Sequence, residues 1–289
     1  MELTRNLKLW MSGEDVMAVK NQLAFLGYLS KSTHNRFGLD TKKAVITFQA
    51  ANGLEEDGIV GPLTWAALFA PGSDAPVESC FDELPYWIGR DKARAIAADL
   101  DKVSATRRKI CVEALQHAID PDANRILCCF YIRGGNLYNQ DLSLNVMTEG
   151  KLRSYFNKSS YAPYYDNGRK EMMEQQAKAS DYAIAGCDCS GLIVGLWRKA
   201  KVKSSGFDAN ANSLYKSFCI DTKAPQPGDL CWKSGHIGLV VGGGYCVESA
   251  GGEYGVQLTK LKSRQLWSFT KKKKVKLAGW TAYGDPKCY

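Results

Sequence analysis

Two separate segments carry residue types that can perform acyl transfer. The first is Asp188-Cys189-Ser190-Gly191-Leu192-Ile193-Val194-Gly195-Leu196-Trp197. Its apolar run predicts a helix over 189–200, with Cys189 at the start. The N-terminal end of a helix carries partial positive charge and free backbone N–H groups. Both favour the thiolate, which is the nucleophilic form of cysteine. The same N–H groups could hold the oxyanion of an attacked amide. Taken alone, a cysteine at a helix start is more often a packing residue.

The second segment supplies a base. Pro227-Gly228-Asp229-Leu230 leads into Gly235-His236-Ile237-Gly238-Leu239-Val240-Val241-Gly242, and Tyr245-Cys246-Val247-Glu248-Ser249-Ala250 reads as the returning strand. A thiol nucleophile needs a base such as histidine, often oriented by a third polar group. A three-residue loop at 242–244 would set Val241 opposite Tyr245 and Gly238 opposite Glu248. His236 and Glu248 are then diagonal neighbours on one sheet face, roughly 7 Å apart. A slip of one residue puts them on opposite faces, where Glu248 reads as an exposed strand carboxylate.

The remaining reactive residues point elsewhere. Of the ten cysteines, several sit in apolar runs such as Leu127-Cys128-Cys129-Phe130, where a free thiol acts as a small buried hydrophobe. Reduced thiols are therefore expected. With three histidines and no Cys-x-x-Cys pair, no metal site and no cofactor are expected. His117 lies in an amphipathic helix pattern and His34 in a polar loop, so neither is a catalytic candidate.

The elements that must position these groups follow from periodicity. The chain has 289 residues, 45% hydrophobic and 24% charged, which suits two soluble domains. Ser12 to Asp15 predicts a helix start with a hydroxyl cap, and Gly27 its end. A second helix runs from Asp40 to a stop at Gly53. Asp57-Gly58 marks a turn, and Gly61-Pro62 opens a third helix. Residues 71–80 read as a linker. Helical patterns follow at about 88–100 and 106–119. From Gly228 onward, short apolar runs divided by glycines read as antiparallel strands. Helices followed by sheet predict an α+β domain.

The net charge of +8 favours nucleic acid, anionic membranes or anionic wall polymers without choosing among them. The run Lys271-Lys272-Lys273-Lys274 reads as a solvated turn between strands. No stretch is long and apolar enough to span a bilayer, and residues 1–13 hold no apolar run of signal-peptide length.

Two resemblances join these observations. Ser12-Gly13-Glu14-Asp15-Val16, Gln22-Leu23, Leu26-Gly27-Tyr28, Phe37-Gly38, Thr41, Ala44-Val45, Phe48-Gln49, Gly53-Leu54, Asp57-Gly58-Ile59-Val60-Gly61-Pro62 and Thr64-Trp65 resemble a peptidoglycan-binding domain of the three-helix type. Tyr131-Ile132-Arg133-Gly134-Gly135, together with the Cys189 and His236 segments, resembles the NlpC family of papain-like cell-wall peptidases. The resemblance implies a three-helix bundle over 1–70, the linker, and a papain-like catalytic domain over 81–289, with helices packed on an antiparallel sheet.

It further implies Cys189 as nucleophile, His236 as general base and Glu248 as the third catalytic residue. Tyr131, Asp188 and Ser190 would serve substrate binding. Asp188 reads equally well as a brace or helix cap. Arg133 departs from the family, which often has tryptophan before the two glycines. The implied partner is bacterial peptidoglycan, with neither nucleic acid nor membrane insertion expected and no oligomeric state indicated. The implied reaction cuts a stem-peptide amide, most often between γ-D-Glu and the diamino acid. An amidase cutting between muramic acid and L-Ala, a binding-only protein, and a nucleic-acid binder are the alternatives. The architecture resembles a phage endolysin, made in the host cytoplasm and acting at the wall after release; a bacterial autolysin exported by another route is the rival.

Overall fold

Apolar residues at helical spacing build α1 (Glu14–Phe25), α2 (Leu39–Ala51) and α3 (Pro62–Leu68). Val16, Val19, Leu23, Val45, Phe48 and Leu68 meet in their shared core. The computed structural model describes residues 3–26, 28–29, 35–69, 80–85, 87–123, 127–180 and 184–289. These fall into two compact units, Met1–Asp82 and Glu83–Tyr289. Gly27, His34 and nearly all of the expected linker lie outside the described residues.

In the first unit the expected hydroxyl cap on α1 is not made. Gly13, not Ser12, occupies the N-cap, and no side chain bonds there. Ser12 stands one residue too early, and its carbonyl accepts from Arg5 at 2.8 Å. Pro62 opens α3 as expected, where its missing N–H costs nothing. The Asp57-Gly58 turn is pinned by buried Gln49. Its amide donates to Asp57 Oδ1 at 2.7 Å and its oxygen accepts from Gly58 N at 2.9 Å.

The second unit is α+β, the class expected. Two helices come first, α4 (Arg90–Leu100) and α5 (Ala105–Gln116). Then follow β1 (Cys129–Tyr131), α6 (Glu149–Phe156), α7 (Ala162–Tyr165), α8 (Arg169–Ala179) and β2 (Ala185–Cys187). The long buried helix α9 (Cys189–Lys199) is succeeded by α10 (Ala211–Phe218). The strands β3 (Cys219–Thr222), β4 (Leu230–Lys233), β5 (His236–Gly242), β6 (Tyr245–Ser249) and β7 (Val256–Lys260) come next. A hairpin, β8 (Gln265–Ser268) and β9 (Lys273–Lys276), precedes β10 (Ala282–Pro286).

The main sheet has the order β3-β10-β4-β5-β6-β7 and is antiparallel throughout. β10 is therefore an inner strand, although it is the last in sequence. β1 and β2 form a separate parallel pair, with Tyr131 opposite Cys187. Only one helix was expected between residue 120 and the sheet; α6, α7, α8 and α10 also lie there or at its edge. The lysine run occupies the exposed β8–β9 hairpin, with Lys272 at φ 52° in the turn.

The β5–β6 hairpin differs from the expected one in its loop. Gly242 pairs with Tyr245, so the loop is Gly243-Gly244, and the register shifts between Val240 and Gly242. Both loop glycines have positive φ, 58° and 79°, as a tight two-residue hairpin turn requires. The bulge absorbs the lost loop residue. Leu239 still pairs with Val247, and continuing that register sets Gly238 opposite Glu248.

Candidate active site

The site is assembled where α9 begins. Asp188 is the N-cap, and its Oδ1 accepts from Gly191 N at 2.7 Å and from Ser190 Oγ at 2.9 Å. Its Oδ2 accepts from Gly134 N at 2.9 Å, and its own N–H donates to Gly135 O at 2.9 Å. One carboxylate thus ties the loop after β1 to the helix that carries the cysteine. Of its two expected roles, the geometry displays capping and bracing.

Glycines make this approach physically feasible. A Cβ on Gly191 would lie 1.9 Å from Gly135 O, and one on Gly195 would lie 2.8 Å from Leu137 Cβ. The pair sits four residues apart, on one helical face. Leu137 N donates across that face to Gly191 O at 3.0 Å.

Cys189 is 7% exposed. Its thiol points at Gly235 O, 4.0 Å away, and the backbone N–H groups of Ile237, Ser190 and Cys189 itself are close enough to favour the thiolate. The sulfur therefore abuts the chain on both sides of His236. Burial, and then the Asp188 carboxylate, push the thiol up to about 11, against the pull of those three N–H groups. Desolvation outweighs the helix N-terminus, so the thiol needs a base to take its proton.

That base has a fixed orientation. His236 Nε2 lies 2.8 Å from Glu248 Oε2. Glu248 is fully buried. Burial works to raise its carboxyl, but bonds to His236 and Arg264 outweigh it and hold the group at about 2. An ionised carboxylate only accepts, so Nε2 carries the proton and Nδ1 is left as the acceptor. Trp280 stacks on the imidazole, with centroids 5.2 Å apart and planes 7° apart.

Glu248 has further partners that the sequence did not reveal. Arg264 donates from Nε to Oε1 at 3.0 Å and from Nη2 to Oε2 at 2.5 Å. Thr259 Oγ1 donates to Oε1 at 2.9 Å. Arg264 also stacks over Trp280, 4.4 Å from the ring centroid. The turn before His236 is held by Asn212 on α10, whose Oδ1 accepts from Gly235 N at 3.0 Å and Trp232 Nε1 at 3.1 Å.

Tyr131 is buried at the end of β1. Burial, then Cys189 and Asp188, push its hydroxyl well above the usual tyrosine range. Beside the helix start an open cleft of ≈ 270 Å³ is lined by Asp188, Ser190, Gly134, Asn136 and Asp208. The expected residues thus converge. Cys189 meets the carbonyl of Gly235, the residue before His236; His236 meets Glu248; Asp188 and Ser190 border the cleft; and Tyr131 lies within electrostatic reach of Cys189. His117 stands apart, bonded to Glu113 and Tyr138 at the end of α5. Among the described residues no group of three or more His, Cys, Asp or Glu side chains could hold a metal ion.

Residues 12–68 match the peptidoglycan binding domain family, and residues 163–274 match the NlpC/P60 family. The chain is thus similar to a peptidoglycan-binding domain near its start and to the NlpC/P60 family further on. The NlpC/P60 match takes in Cys189, His236, Glu248 and Arg264; Tyr131 and Trp280 lie outside it. NlpC/P60 proteins are cysteine peptidases acting on peptidoglycan. A protein of Kitasatospora aureofaciens, described as an uncharacterized protein in the bpoA1 3' region, is 47% identical over 58 residues. That stretch is 20% of this chain and 49% of the relative, so the match spans about half the relative's length. No solved structure matches the chain significantly.

Proposed function

We propose that the protein is a cysteine endopeptidase that cuts the peptidoglycan stem peptide, at the amide between γ-D-Glu and the diamino acid. The observation that carries this reading is the Cys189 sulfur lying 4.0 Å from the carbonyl of Gly235, the residue before His236, while His236 Nε2 bonds buried Glu248. His236 Nδ1 accepts the thiol proton as Sγ attacks the amide carbon. Glu248 stabilises the imidazolium that forms. The backbone N–H groups at the start of α9 face the developing oxyanion. The C–N bond breaks as the imidazolium gives its proton to the leaving amine, and a thioester remains. Water, deprotonated by His236, then attacks the thioester and releases the new carboxylate and the thiol.

Tyr131 and Ser190 would line the substrate groove, with Asp188 holding its wall. The N-terminal domain would keep this site at its polymer. A lytic enzyme of the phage endolysin kind fits that pairing. Purified walls digested by wild type and by Cys189→Ala test the reading, with fragments identified by mass spectrometry. The expected result is new γ-D-Glu carboxyl ends and free diamino acid amines with wild type alone. Intact stem peptides released from muramic acid would instead identify an amidase. Equal digestion by both proteins would remove Cys189 from the chemistry.

A further inference from the structure

We infer that Arg133 receives a substrate carboxylate next to the amide attacked by Cys189, and so selects stem peptides whose γ-linked glutamate keeps a free α-carboxylate. This deepens the peptidase reading above and rests on it.

The first observation is where Arg133 is held. Its N–H donates to Tyr165 Oη at 3.3 Å, and the next residue, Gly134, donates to Asp188 Oδ2 at 2.9 Å. Asp188 N returns a bond to Gly135 O at 2.9 Å. Asp188 directly precedes Cys189, so the Arg133 backbone is fixed to the peptide that carries the nucleophile. Tyr131, two residues earlier, pairs with Cys187, two residues before Cys189.

The second observation is how the side chain is held. The Arg133 guanidinium lies over the Tyr164 ring at 5.0 Å. Tyr164 in turn stacks on Tyr131, with centroids 6.3 Å apart. A guanidinium stacked on a ring that is itself packed has lost part of its rotamer freedom before any ligand arrives.

The third observation is what the guanidinium lacks. Arg107 and Arg264 each bind carboxylates inside the protein. Arg133 is exposed, and among the described residues no carboxylate stands at ion-pair distance from it. Stacking on the Tyr164 ring uses none of its five N–H donors, which keep the fork that suits a carboxylate.

Substrate chemistry supplies the partner. A glutamate linked through its γ-carboxyl keeps its α-carboxyl as a side group, on the same residue as the scissile carbonyl. That charge arrives near the nucleophile with every productive encounter. Amidation of the α-carboxyl removes it and leaves size and shape almost unchanged. Arg133 also stands where the NlpC resemblance often has tryptophan, so the cation is a feature of this chain.

The test compares two stem peptides that differ only in an α-carboxylate or an α-carboxamide on the γ-linked glutamate. kcat/KM is measured for wild type, Arg133→Met and Arg133→Lys. Wild type is expected to prefer the carboxylate by on the order of 10- to 100-fold, the range for a charge-assisted pair. Arg133→Met should collapse that preference toward unity, and Arg133→Lys should keep part of it. A preference unchanged in Arg133→Met, or absent in wild type, overturns the inference. Calorimetric binding of the same peptides to Cys189→Ala, with and without Arg133→Met, separates the two readings. Carboxylate-selective binding that needs Arg133, without cleavage by wild type, would sink the peptidase reading and leave the Arg133 assignment standing.

Discussion

Glu248 holds a negative charge where no water reaches it, and the Arg264 guanidinium and the His236 imidazole N–H share it. Burial works against that charge, but these bonds hold its carboxyl at about 2 in the folded protein, against 4.5 for a free carboxyl. A depressed carboxyl stabilises the fold above its unfolded value and loses that effect as pH falls through the folded value. The contribution here is about 3 kcal/mol, lost between pH 4.5 and 2. Urea unfolding across that window should show the loss in wild type, with a shallower pH slope in Glu248→Gln. Equal slopes would remove Glu248 from the acid response. At neutral pH the same substitution leaves Arg264 buried without its counter-charge and should cost about 3–5 kcal/mol. Cys189 gives a complementary test. Alkylation of His236→Ala should rise only toward pH 11, where burial and Asp188 set the thiol. Wild type, with an imidazole to take the proton, should react at lower pH; coincident profiles would count against proton transfer to His236. The cysteine, histidine and glutamate were legible because local pattern announced each of them: a helix start, a glycine-flanked strand and a hairpin register. Arg264 and Trp280 were not legible. Arg264 follows Lys260 and Lys262 in what reads as a solvated basic stretch, and Trp280 follows the lysine run. Only the folded chain brings them to Glu248 and His236.

Glycines govern the contact between α9 and the segment after β1. A methyl group on Gly191 would meet a backbone carbonyl at 1.9 Å, and backbone cannot swing away as a side chain can. Gly191→Ala should therefore destabilise by about 3 kcal/mol, the upper range for overpacking. Gly150 in α6 is the control, since nothing lies within 4 Å of its added Cβ. Gly150→Ala should stabilise by about 0.5–1 kcal/mol through helix propensity. Thermal melts of both variants check the pair, and a neutral Gly191→Ala would mean that the loop after β1 is free to retreat. At this scale the sequence spoke unevenly. α9 was clear because its apolar run is continuous. α8 has the same 11 residues but a mixed composition, and α6, α7 and α10 run for only 8, 4 and 8, so period alone did not separate them from loop. β1 and β2 have three residues each, too few for alternation to register. The hairpin loop was misjudged by one residue because a bulge, like a longer loop, takes up one unpaired position.

The split into two units was legible, since each carries its own run of motifs over a long stretch. On the proposed function, tethering the catalytic unit to a wall binder would raise its local concentration at the polymer. A chain beginning at Glu83 should hydrolyse soluble stem peptides within about twofold of the full chain, yet clear intact walls on the order of 10- to 100-fold more slowly. Turbidity of wall suspensions beside peptide kinetics measures both. Equal wall clearing would deny the N-terminal domain its targeting role.

The placement of β10 carries a consequence for synthesis. A ribosome issues this strand after every other, yet it lies in the sheet between β3 and β4. Until residues 282–286 leave the exit tunnel, β4 lacks one neighbour and β3 lacks its only one. Nascent chains stalled before that point should remain protease-sensitive, because the sheet that carries His236 and Glu248 closes on one side only when its last-made strand slots in.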